Sequence, residues 1–117
     1  MATIRELVAT LRRFDGVTAA AVLGRDGLLI DDDANAGLDC EQVAAHVPSI
    51  FQCADELGTA ASAGVLQMAI LEHQDATVVL AGMSAEVVLL VIVRSDANVG
   101  ALVYDIRRHR AGLASLV

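Results

Sequence analysis

Apolar residues recur at Ile4, Leu7, Val8, Leu11 and Phe14, a spacing of three and four that lays one stripe along a helix. Arg5, Glu6, Arg12 and Arg13 fall on or near its other side. Thr3 offers an N-cap oxygen with Glu6 as its capping-box partner, and Asp15-Gly16 closes the helix. From Val17 to Leu23 the residues turn β-branched or small, and a second apolar run, Leu28 to Ile30, follows. Gly24-Arg25-Asp26-Gly27 lies between them, and an Asp-Gly pair flanked by strand-like runs predicts a hairpin.

A helical period returns after Asp39, which suits an N-cap, with Glu41 near the positive end of the helix dipole. Val43, Val47, Ile50, Ala54, Leu57 and Ala61 line one face, with Phe51 beside it. Pro48 sits inside this second helix, removes one backbone hydrogen bond and predicts a kink or a split. Gly58 and Gly64 bracket the exit. Three strand-like runs follow: Val65 to Glu72, with Leu66, Met68 and Ile70 on one face; Thr77 to Ala81; and Glu86 to Val93. The last is almost wholly apolar and reads as a central strand covered on both faces. Ser95 or Asp96 is expected to cap a final helix with the stripe Val99, Leu102, Val103, Ile106, Leu113 and Leu116. Arg107, Arg108, His109 and Arg110 fall in its C-terminal half, where the dipole favours positive charge.

The order is α-β-β-α-β-β-β-α. Short links between neighbouring strands force antiparallel pairs. The expected fold is an α/β (α+β) sandwich, one five-stranded antiparallel sheet with helices on both faces. At 117 residues, one domain spanning 1–117 is expected. Hydrophobic residues make up 56% of it and the mean hydropathy is +0.58, high for so small a domain. Some apolar surface is therefore expected to lie against another chain.

The net charge of −7 repels phosphate, and aromatic residues are only 3%, so nucleic acid is excluded as a partner. All basic residues are Arg. That removes Schiff-base chemistry and the Lys of a P-loop. The N-terminus carries no apolar signal core, and "TVVLAGMSAEVVLLVIV" is broken by Gly82, Ser84 and Glu86. No membrane insertion and a cytoplasmic location are expected. Cys40 and Cys53, if on one helix, lie roughly 20 Å apart and cannot pair.

The tract "DDDANAGLDCEQ" starts like a calcium loop, with Asp31, Asp33 and Asn35 in place. It then has Ala36 where the loop needs Gly and Gln42 where it needs a bidentate Glu. Cys40, Cys53, His46, His73 and His109 lack the spacing of a zinc site. No nucleophile elbow supports any of these His as a base. No catalytic residue, metal or cofactor is therefore expected, and the protein reads as no enzyme. What remains is surface. Gln42, Ala45, Ser49, Gln52, Glu56 and Thr59 point away from the apolar face of the second helix. The strip is uncharged apart from Glu56, which suits an ordinary solvated face or a partner platform cheap to desolvate.

Taken together, "FDGVTAAAVLGRDGLLI", the Ala-rich helix through "VAAHVPSIFQCADELG", and the meander ending in "EVVLLVIV" before "NVGALVYDIRR" resemble the Roadblock (dynein light chain) family. In bacteria the family is known through the mutual gliding protein B group. The resemblance runs from about Thr3 to Leu116 and implies a sheet order of 2-1-5-4-3. It also implies a homodimer that pairs the third strand with its twin and packs the second helices side by side, with Val65, Gln67, Ala69, Leu71 and Cys53 at the interface. Ras-like small GTPases would bind the paired helices, so the strip from Gln42 to Thr59 would be the partner site. It carries no Arg, so any effect on hydrolysis would come from fixing the GTPase's own switch segments. Two other readings fit the same chain: a structural assembly subunit without a GTPase, and a ligand-sensing α/β sandwich.

Overall fold

The computed structural model describes residues 3–108, Arg110 and Gly112. Helix α1 (Ile4–Arg12) begins at Thr3, whose Oγ1 accepts the Glu6 N–H at 3.1 Å. Strands β1 (Val17–Gly24) and β2 (Leu29–Ala34) form the expected hairpin. The turn closes through the Gly27 N–H on the Gly24 carbonyl, and Gly27 has φ +90°, which only glycine adopts readily. Strand β2 starts one residue later than the apolar run and continues through Asp31–Asp33.

The second helix is split. Segment α2 (Cys40–Ala44) is capped by Asp39, whose Oδ1 accepts the Glu41 and Gln42 N–H groups, and α3 (Val47–Ala60) restarts with Pro48 in its first turn. Strands β3 (Met68–Glu72), β4 (Ala76–Gly82) and β5 (Val87–Arg94) and helix α4 (Val99–Arg108) complete the chain. The five strands form one sheet in the order β2-β1-β5-β4-β3, all pairs antiparallel. That is the order the resemblance implies.

The central strands set the two core layers. Leu89, Val91 and Val93 of β5 face α1 and α4, meeting Leu7, Val8, Leu11, Leu102 and Ile106. Val88, Leu90 and Ile92 face α2 and α3, meeting Cys40, Ala44, Val47 and Phe51. Strand β1 offers three fully buried alanines in a row, Ala19 to Ala21. A register shift between Val17 and Ala19 moves Val17 onto the α1 side with Ala20 and Val22.

Four expectations need correcting. The third strand starts at Met68, not Val65. The segment after α3 first arcs over Gly58 and turns at Gly64, φ +84°. Leu66 lies in that irregular segment, so it packs on the α3 layer while Met68 packs on the other. The face of the second helix that is buried runs through Cys40, Ala44, Val47, Phe51 and Gly58, and Leu57 and Ala61 are exposed. Asn98, not Ser95 or Asp96, presents its Oδ1 to the first turn of α4, at the Ala101 N–H. Leu113, Leu116 and His109 lie outside the described residues.

Gly58 is required by a close approach. A Cβ there would strike the Gly64 carbonyl oxygen, and the Ala63 N–H already donates to the Gly58 carbonyl at 2.7 Å. Backbone cannot yield as a side-chain tip does. Gly58→Ala is expected to cost roughly 2 kcal/mol in chemical denaturation, whereas Gly100→Ala, whose nearest neighbour is 3.5 Å away, costs little.

Candidate docking surface

The outer face of α2 and α3 is shaped by Pro48. It has no N–H to give the Ala44 carbonyl, and the chain responds with a tightened turn in which the His46 N–H bonds the Val43 carbonyl at 3.1 Å. Ala45 (φ −62°, ψ −23°) and His46 (φ −86°, ψ −14°) keep right-handed angles, so the path bends without reversing. The β1–β2 turn fits against this bend. A Cβ at Gly27 would stand 3.2 Å from Pro48 Cγ and 3.3 Å from the Ala44 oxygen.

Gln42, Ala45, Ser49, Gln52, Glu56 and Thr59 are all exposed along the bent helix pair. The Gln52 amide donates to Glu56 Oε1 at 3.4 Å, and the Thr59 hydroxyl donates to the Asp55 carbonyl at 3.1 Å. Cys53 and Leu57 lie exposed beside the strip.

Below it sits a polar knot that sequence reasoning did not find. The Arg25 guanidinium lies 4.7 Å from the Phe51 ring centroid, and its Nε donates to the Ser84 carbonyl at 3.3 Å. Its Nη1 is 4.0 Å from Asp55 Oδ2. The other Asp55 oxygen accepts the Leu66 N–H at 2.7 Å. The hairpin tip, α3, the β4–β5 turn and the approach to β3 are thus held by two side chains far apart in sequence.

The free edge of the sheet is β3. The Gly82 N–H donates to the Gln67 carbonyl and the His73 N–H to the Ala76 carbonyl. By the antiparallel alternation, Gln67, Ala69, Leu71 and His73 direct their backbone groups at β4, while Met68, Ile70 and Glu72 direct theirs outward. Among the interface residues implied by the resemblance, Val65 precedes the strand and is exposed, as are Gln67 and Cys53. Ala69 and Leu71 are half-buried and pack on the α3 layer. The exposed apolar side chain on the edge itself is Ile70.

The calcium-like tract has another use. Asp31 lies 3.3 Å from Arg5 and Asp33 lies 3.6 Å from Arg12, and Asn35 Oδ1 accepts from Arg12 at 2.8 Å. Its oxygens therefore tie β2 to α1. Among the described residues no three His, Cys, Asp or Glu side chains converge on a metal position, and no helix is long and apolar enough to cross a membrane.

Residues 3–93 match the Roadblock/LC7 domain. The chain belongs to the Roadblock/LC7 family. Among its relatives is an uncharacterized protein of Methanocaldococcus jannaschii, MJ0714, 25% identical over 105 residues that span 90% of this chain and 88% of the relative. The same Roadblock fold occurs in MglB of Myxococcus xanthus, with a TM-score of 0.84 at 14% identity over 98% of this chain and 97% of that one. It occurs again in an MglB with a tetrameric arrangement, with a TM-score of 0.84 at 15% identity over 96% and 85%.

The two thiols of this Roadblock domain differ in environment. Burial, then the neighbouring Asp32 carboxylate, pushes the Cys40 thiol up from 9.0 to about 11, while Cys53 is exposed. A maleimide at pH 8 is expected to modify Cys53 and leave Cys40 intact, read by mass spectrometry. Because the folded state holds the Cys40 proton more tightly, its contribution is complete below pH 9.0 and is lost as pH rises through about 11. The fall in denaturation midpoint over that window should be shallower in Cys40→Ala than in the wild type.

Proposed function

We propose that this protein is a homodimeric, non-enzymatic Roadblock scaffold or regulator, a single domain acting in the cytoplasm. Its partner is a Ras-like small GTPase, bound on the strip Gln42, Ala45, Ser49, Gln52, Glu56 and Thr59. The observation that carries the reading is the unguarded edge. Met68, Ile70 and Glu72 point their backbone groups outward beside an exposed Ile70 and a neutral helix face. Exposed edges of this kind pair with another strand, and a two-fold axis at Ile70 would oppose Met68 of each copy to Glu72 of the other. Val65, Gln67 and Cys53, all exposed, would join that contact, with Ala69 and Leu71 behind it on the α3 layer. The tetrameric arrangement of an MglB supports self-association within the fold.

A paired platform with no Arg on its strip supplies no cation to a phosphoryl-transfer transition state. Its effect on a GTPase is therefore steric: it holds or releases the switch segments.

Ile70→Lys places charge at the axis and is expected to convert a sedimenting dimer to a monomer of unchanged circular dichroism. A variant that stays dimeric refutes the edge contact. Gln52→Arg with Glu56→Arg should reduce recovery of a Ras-like small GTPase from a lysate by roughly tenfold. Equal capture by variant and wild type removes the strip as the site, and single-turnover GTP hydrolysis with and without the protein separates regulator from scaffold.

A further inference from the structure

Two large apolar side chains remain that neither the core nor the proposed dimer uses. Leu28 is 69% exposed and Ile30 is 51% exposed. They lie beside and at the start of β2, at the opposite side of the sheet from β3. The other exposed large apolar residues of the described chain are accounted for. Leu57, Val65 and Ile70 border the β3 side, and Tyr104 carries the Arg108 guanidinium 5.6 Å from its ring.

Leu28 stands between two open depressions. One is bounded by Asp26, Asp39, Glu41, Gln42 and Ala45, and the other by Ile30, Ala85 and Glu86. The carboxylates of Asp26, Asp39, Glu41 and Glu86 make no ion pair with a described cation, whereas Asp31, Asp33 and Asp55 each do. Arg25 also borders the second depression, but its guanidinium is held by Phe51, Ser84 and Asp55. The patch is thus an apolar pair ringed by carboxylates without an ion-pair partner among the described residues, and it shares Gln42 and Ala45 with the proposed strip.

We infer that this face docks a basic protein segment that carries apolar residues, which reach Leu28 and Ile30 while its Arg or Lys side chains meet Glu41, Glu86, Asp26 and Asp39. Charge complementarity selects this occupant. The same ring of carboxylates repels an anionic lipid surface and nucleic acid. The inference rests on the reading of the strip as a docking site and extends it toward the hairpin tip.

The probe is a short capped peptide of alternating leucine, arginine and serine, titrated into the isotopically labelled protein and followed by amide shifts. Saturable shifts at Leu28, Ile30, Glu41 and Glu86 are expected, weakened by added salt. Asp26 and Asp39 also cap backbone groups, at Leu28 and at Glu41 and Gln42, so the variants avoid them. Glu41→Lys with Glu86→Lys, and separately Leu28→Ser with Ile30→Thr, should each weaken binding roughly tenfold with an unchanged circular dichroism spectrum. A matching peptide with glutamate for arginine should not bind. Shifts centred elsewhere, or variants that bind as the wild type does, overturn the inference. If Gln52→Arg with Glu56→Arg abolishes GTPase capture while the Glu41/Glu86 variant captures normally and loses nothing toward the peptide, the strip stands and this extension falls. If the tip variants alone lose the peptide and the strip variant captures normally, the strip falls and the basic-segment site stands.

Discussion

The arrangement depends on how the sheet treats its two edges. At the β2 side, Asp31 and Asp33 put charge along the border and bind Arg5 and Arg12 of α1, and the ladder to β1 is interrupted by a bulge between Val22 and Leu23. Those are devices that discourage strand addition. At the β3 side there is none until Glu72: the strand reads Met68-Ala69-Ile70-Leu71-Glu72, with alternate backbone groups aimed at solvent. One edge is closed and one is left open. Of the large apolar side chains that stay exposed among the described residues, Leu57, Val65 and Ile70 border the open side.

The helix pair above the sheet is placed by contacts that converge from distant parts of the chain. Pro48 forces the bend, and Gly27 lets the hairpin turn settle against it. Arg25 then fastens the tip to Phe51, Asp55 and the Ser84 carbonyl, and Asp55 holds the chain that leads into β3. The orientation of the outer strip and the position of the open edge are therefore coupled. A side chain 27% exposed in such a setting contributes through stacking and a carbonyl contact more than through its 4.0 Å ion pair.

Much of this was legible in the sequence because it is local. The Asp-Gly turn, the Thr3 and Asp39 caps, the split at Pro48 and the doubly buried β5 each follow from residues within a few positions of one another. The sheet order came from family resemblance, since antiparallel pairing alone does not fix which strands are neighbours. Two kinds of feature are not legible in this way. The stripe Val43, Ile50, Ala54, Leu57 is wider than the core requires, and periodicity cannot say which side of a wide stripe meets the sheet. Phe51, Ala44 and Cys40 meet it, over the alanines of β1. The Arg25–Asp55 contact spans the hairpin and a helix, and no spacing rule announces a pair that only the tertiary fold brings together. The exposure of Gln42, Ala45, Ser49, Gln52, Glu56 and Thr59 follows directly from helical geometry.

Residue-level hydrogen exchange at Met68, Ile70 and Glu72 tests the open edge most directly. If β3 is paired with a second copy, these three amides exchange as slowly as those of Ala69 and Leu71, which bond to β4. Exchange at free-peptide rates for the three, with the alternate pair still protected at the same concentration, would show that nothing covers the edge and would contradict the dimer.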